Sequence, residues 1–164
     1  MQYENIQKAI GVDIAISKKM SNAIYKWGKL YVNEAPWVKD DIKSLGLPAS
    51  ICTEMARLVT MESKITISGS ARAELIAKYM VPFLSNLSRY VEYACSTGGI
   101  AFKPYMGRGG IAVDVTKAGY FYPVSFDSAE KITGVIFPEF KRVGKKLFTR
   151  LEYQQLSGDM YTIT

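Results

Sequence analysis

The segment STGGIAFKPYMGRGGIAVDV, residues 96–115, sets two glycine clusters around Lys103 and Arg108. Glycines beside a lysine could cradle phosphates, because backbone N–H groups at a helix N-terminus surround an anion. The loop that does so needs G-x-x-x-x-G-K-[ST] between a strand and a helix. Here Lys103 is followed by Pro104, no glycine directly precedes it, and the residues after GRGG alternate as in a strand; a G-x-G-x-x-G fingerprint is also missing. Punctuation explains the same residues better. Gly98 and Gly99 end a helix by taking positive φ, and Gly107, Gly109 and Gly110 turn a hairpin with Arg108 at its exposed tip.

The remaining chemistry-bearing residues form no set. SAEK, residues 128–131, matches S-x-x-K but lacks the companion S-D-N and K-T-G motifs, so it reads as a turn before a strand. The chain has no histidine, which removes Ser–His and Cys–His nucleophile pairs, His-ligated metals and histidine acid–base catalysis. Asp40, Asp41 and Glu152 read as helix-start and strand-surface positions rather than an acid–base pair. No C-x-x-C or carboxylate cluster points to a metal. We therefore expect no enzyme, and assign no catalytic, cofactor-binding or metal-binding residue. Cys52 and Cys95 fall in apolar helical patterns and read as buried free thiols of a reducing compartment.

The 164 residues, 48% hydrophobic and 22% charged, suit a single domain, 1–164, with a sizeable core. No apolar run of about 18 residues occurs, so no membrane-spanning helix is expected. The N-terminus lacks the basic and apolar regions of a secretory signal, which points to an intracellular protein. A net charge of +6 permits nucleic acid or acidic partners. Its densest group, KRVGKK at 141–146, spans a turn and reads as a solvated hairpin tip rather than a phosphate-binding patch. Most aromatics sit at core-facing periods, which disfavours a base-stacking platform.

The elements come in two blocks. Met20, Ile24, Trp27 and Tyr31 recur at i, i+4, i+7, i+11 on a helix from near Ser17, which Asn33 and Pro36 end. Pro48 opens a second helix to about Glu62, with Ile51, Met55, Leu58 and Val59 on its apolar side. KITIS, 64–68, alternates like a strand. Gly69 closes it and Ser70 caps a helix carrying Leu75, Ile76, Tyr79, Met80 and Phe83 inward, stopped or kinked by Pro82. Leu87, Tyr90, Val91 and Ala94 mark one more helix, ending at Gly98.

The period then falls from 3.6 to 2. IAFKPYM, IAVDVT, GYFYPVSF, KITGVIFPEFKR, KKLFTRLEYQQL and MYTIT come next with short turns, and the proline of GYFYPVSF implies an edge strand or a bulge. The class is α+β: N-terminal helices followed by an antiparallel β-meander, with 1–36 reading as an N-terminal helical arm. MYTIT stops in mid-strand without a cap, so the chain is expected to be a piece of a longer protein.

In order, these segments resemble the portal proteins of tailed bacteriophages, in the branch typical of phages and prophages of Gram-positive hosts. VDIAISKKMSNAIYKWGKLYVN looks like that branch's N-terminal segment, and SLGLPASICTEMARLVTMES is similar to its LpxxIcxExArLvxxE helix. YVEYACSTGGIAFKPY looks like its helix-to-strand junction; GYFYPVSFD and FTRLEYQQL resemble its aromatic-proline and T-R-L-E strands. The resemblance covers roughly residues 11–164. Each motif is mostly a packing pattern, and the specificity lies in five of them in order. Gln154 and Gln155 depart from the pattern, where many relatives run into a histidine.

The resemblance implies a structural virion protein, the N-terminal (wing) part of a portal without stem, clip or channel loop. Such proteins assemble with themselves into a ring, usually of twelve subunits, at one capsid vertex. Through it viral DNA is packaged and ejected. Partners implied are the capsid, the terminase, head-completion proteins and double-stranded DNA in the assembled channel, with no membrane; the locations implied are the virion and, during assembly, the host cytoplasm. Without stem and crown, the fragment is expected to be monomeric or weakly associated. The alternative is a basic nucleic-acid-binding module, whose DNA affinity would fall steeply with salt.

Overall fold

The computed structural model describes residues 3–38 and 44–164; Asp40 and Asp41 lie outside them. Among the described residues, five helices precede six strands: α1 Tyr3–Ile10, α2 Lys18–Tyr31, α3 Leu47–Thr60, α4 Ala71–Ser85, α5 Leu87–Thr97, β1 Ile100–Gly107, β2 Gly110–Lys117, β3 Tyr122–Phe126, β4 Ile132–Val143, β5 Lys146–Ser157 and β6 Met160–Ile163. The fold is α+β with antiparallel strands in two sheets. Contacts divide the chain into two compact units, Met1–Asn22 with Gly119–Thr164, and Ala23–Ala118, the boundary falling within α2.

Local chemistry sets the helix ends. The Ser17 hydroxyl accepts from the Met20 N–H at 3.1 Å and starts α2, while Asn33 at φ 62 turns the chain after it. Ser70 is extended and accepts from the Ala73 N–H at 3.1 Å, a side-chain N-cap for α4. One expectation fails here. Residues 64–68 are not a strand: no neighbouring strand pairs with them among the described residues, and alternation alone makes no ladder. Pro82 lies in the last turn of α4, which ends at Ser85 with Asn86 as its C-cap.

In the unit Ala23–Ala118, α3 packs on α5, and α4 and α5 pack on the β1–β2 hairpin. The hairpin runs in unbroken register from Ile100↔Lys117 to Gly107↔Gly110. Phe83, Tyr90 and Phe102 stack where α4, α5 and β1 meet, with ring centroids 5.0–6.1 Å apart. Tyr79, Met80 and Phe83 of the expected inward face are half-buried, whereas Leu75 and Ile76 are exposed.

The other unit is a four-stranded meander, β3-β4-β5-β6. Ile6, Tyr122 and Ile136 form its buried centre, joined by Ile10, Val12, Ile14, Val124, Leu151 and Tyr153. Residues 1–36, read from sequence as an arm, thus include α1, which supplies Ile6 and Ile10 to this core. The prediction for GYFYPVSF holds in both its forms: β3 is an edge strand, and its register slips between Pro123 and Ser125 and again before Phe126. SAEK is a turn, as expected. Asp127 Oδ1 accepts from the N–H groups of Ala129 and Lys131 at 2.8 and 2.9 Å.

Candidate functional site

Aromatic rings lie against two glycines of residues 96–115, Gly98 at the end of α5 and Gly110 at the start of β2. Gly98 ends α5 at φ 83, and a Cβ there would lie 3.1 Å from Cζ3 of Trp27. Gly110 opens β2 at φ 119, and a Cβ there would lie 2.2 Å from Cε1 of Tyr79. Both glycines therefore serve positive φ and the close approach of a ring. Arg108 is exposed at the hairpin tip, as expected, and Lys103 stands opposite Asp114 in the register. The residues after GRGG form strand β2, so no helix dipole faces this loop.

The densest polar constellation joins α2, α3 and α5, and sequence reading missed it. Glu92 Oε1 accepts from the Tyr31 hydroxyl at 2.6 Å and from Thr53 Oγ1 at 3.1 Å. Burial, followed by the Glu92 hydrogen bond, pushes the Tyr31 phenol up to about 12. Beside it the Lys117 ammonium lies 3.5 Å from the centroid of the Tyr93 ring, and Arg89 Nε donates to the Tyr93 hydroxyl at 2.6 Å. Tyr31 carries an apolar-face signal in the sequence, and nothing local announces a partner 61 residues away.

This arrangement fastens helices. A phenol raised to about 12 keeps its proton at neutral pH, the opposite of what a nucleophile or general base needs. Cys52 lies nearby on α3; burial, with lesser contributions from Cys95 and Glu92, pushes its thiol up, which lowers its reactivity. The thiols are free, as expected, but not buried: Cys52 is half-buried and Cys95 exposed. Cys52 faces α5, near Cys95 and Glu92; the buried positions of the two helices are Ala56 on α3 and Ser96 and Thr97 on α5.

The same contact corrects the apolar face of α3. Ile51, Met55, Leu58 and Val59 are 49–60% exposed, while Ala56 is 1% exposed. Small side chains let α3 and α5 approach closely, and the large ones point away. No group of three or more His, Cys, Asp or Glu among the described residues could hold a metal ion, and no described helix is long and apolar enough to cross a membrane. Glu152, expected on the strand surface, accepts from Gln154 Nε2 at 2.6 Å, and Gln154 is itself buried and accepts from the Tyr161 hydroxyl. KRVGKK is exposed throughout, with Lys141–Val143 ending β4, Gly144 and Lys145 in the turn and Lys146 starting β5.

Compared with protein-family models, curated proteins and solved structures, the chain matches none.

Proposed function

We propose that this chain is the wing-region, N-terminal part of a portal protein of a tailed bacteriophage or prophage. The reading is carried by one observation: five segments resembling that family stand in the family's order. They coincide with α2, α3, the α5–β1 junction, β3 and β5. The role is architectural, with no catalytic step. Subunits would meet through two different faces in a heterologous ring whose rotation closes, at the capsid vertex and in contact with capsid, terminase and head-completion proteins, around double-stranded DNA.

The test is to follow the natural reading frame past Thr164 and image the full product by electron microscopy. Continuation into long helices, with rings around a central channel, is the expected result. A stop codon after Thr164 together with a product that forms no ring, alone or with the capsid protein from the same genome, would sink the reading.

A further inference from the structure

Beyond Ile136, the β4–β5 hairpin leaves its sheet. β3 pairs with β4 only up to Ile136, and β6 reaches β5 only as far as Gln154, with Thr164 bonded to Tyr153. From Phe137↔Glu152 to Val143↔Lys146 the two strands pair only with each other. At the base of this stretch, Phe137 meets the Phe121 ring and Leu151 joins the core. Past that base, residues 139–150 are exposed except for the half-buried Thr149. Seven pairs at about 3.4 Å each make a ribbon roughly 20 Å long.

Charge concentrates on this ribbon. Residues 137–152 hold Lys141, Arg142, Lys145, Lys146 and Arg150 against Glu139 and Glu152, a net +3 of the chain's +6. The Arg150 guanidinium pairs with Glu139 at 2.8 Å and with Glu152 at 3.5 Å; Lys141, Arg142, Lys145 and Lys146 are all exposed.

The register sorts the cations. Paired residues share a face, so Lys141 with Phe148, Val143 with Lys146, and Glu139 with Arg150 lie on one side, and Arg142 with Leu147 on the other. Lys145 sits in the turn. Positive charge therefore faces both ways, and the exposed apolar residues nearest the tip are Val143 and Leu147.

We propose that this ribbon is an arm that enters the major groove of duplex DNA, its cations on the flanking phosphates and Val143 and Leu147, one on each face, beside the base edges. A partner that covers only the Lys141 face would leave Arg142 unused, and one that covers only the Arg142 face would leave Lys141 and Lys146 unused. A groove has phosphates along both walls, and the major groove admits a two-stranded ribbon. In the major groove, exposed apolar side chains can rest on thymine methyls. A second copy of the ribbon is disfavoured, since edge pairing would bring like charges together. The arm belongs to one unit alone and does not rest on the portal reading, because a ring can form whether or not the arm touches DNA.

The test is fluorescence anisotropy of the 164-residue protein with a labelled mixed-sequence duplex of about 20 base pairs. The expected dissociation constant is micromolar at about 50 mM salt, weakening about 100-fold by about 200 mM, as for release of three to four counterions. Replacing Lys141, Arg142, Lys145 and Lys146 by Gln should weaken binding at least about 10-fold and flatten the salt dependence. Replacing the exposed Lys18, Lys26, Lys64 and Lys78 by Gln removes the same charge and should cost less than about 3-fold. On the unmutated protein, bound duplex should protect Lys141, Lys145 and Lys146 from acetylation, but not Lys18 or Lys26.

Equal losses from the two quadruple variants, no binding at about 50 mM salt, or no protection of the tip lysines would overturn the proposal. So would displacement of the duplex by poly-glutamate at equal charge concentration, which would assign the arm to an acidic protein partner.

Discussion

The Tyr31 hydroxyl donates to Glu92 Oε1 at 2.6 Å, and Thr53 Oγ1 reaches the same oxygen at 3.1 Å, so one carboxylate oxygen ties α2, α3 and α5 together. Tyr31→Phe removes one donor without changing shape and should lower unfolding free energy by about 1 kcal/mol, measured by urea denaturation. The phenol's pKa is raised in the fold, from 10.0 to about 12. Its contribution is therefore complete below about pH 10 and lost as pH rises toward about 12, where the unfolded chain releases its proton first. The wild-type denaturation midpoint should fall more between about pH 9 and pH 11 than that of Tyr31→Phe. Equal pH dependence in the two proteins would show that the bond contributes nothing.

Gly110→Ala should be costlier than Gly144→Ala. Both positions have positive φ, but a Cβ at Gly110 meets the Tyr79 ring at 2.2 Å and one at Gly144 meets nothing within 4 Å. Strain alone costs about 1 kcal/mol at Gly144, and displacing a packed ring adds about 1–3 kcal/mol at Gly110. Thermal melts of the two variants rank the costs; equal melting points would remove the ring from the account.

On α3, side-chain size and burial run opposite to the usual expectation. Leu58→Ser, at 53% exposure, should change stability by less than about 0.5 kcal/mol. Ala56→Leu, at 1% exposure, should cost about 1–3 kcal/mol by forcing α3 off α5. Sedimentation should show less self-association for Leu58→Ser than for wild type at high concentration, because an apolar patch has been broken.

The two thiols should differ in rate. Cys95 is exposed, whereas Cys52 is half-buried and its thiol is pushed up by burial, then by Cys95 and Glu92. At about pH 8, iodoacetamide should label Cys95 well before Cys52, read by peptide mass spectrometry. Raising the pH should speed Cys52 labelling through a higher range than that of an unburied thiol, since more base is needed to form its thiolate. Faster labelling of Cys52 would contradict its placement.

Most of the fold is legible where local chemistry decides it. Ser17 and Ser70 cap helices, Gly98 ends one, and Pro123 marks an edge, because each acts through its own backbone and near neighbours. The failures share a cause. KITIS has the pattern of a strand but no neighbour to bond. The Ile51–Val59 stripe has the pattern of a core face, yet Ala56 occupies the contact. Tyr31 and Glu92 meet only after three helices assemble, so neither residue type nor spacing announces the bond. Likewise, the charge of KRVGKK is visible in sequence, but its extension by Arg150 along an unaccompanied ribbon depends on the register of β4 and β5 and on where β3 and β6 stop.

The meander's two margins are unlike. On the β3 side, Pro123 lacks an N–H, the register slips twice, and the Pro123 carbonyl already accepts from the Ala15 N–H at 2.8 Å. On the β6 side, Met160–Ile163 is regular and exposed, with no described strand beyond it. A further strand can therefore lengthen this sheet in one direction only, which makes the sheet a polar object: one margin terminates it, and the other leaves it open to growth.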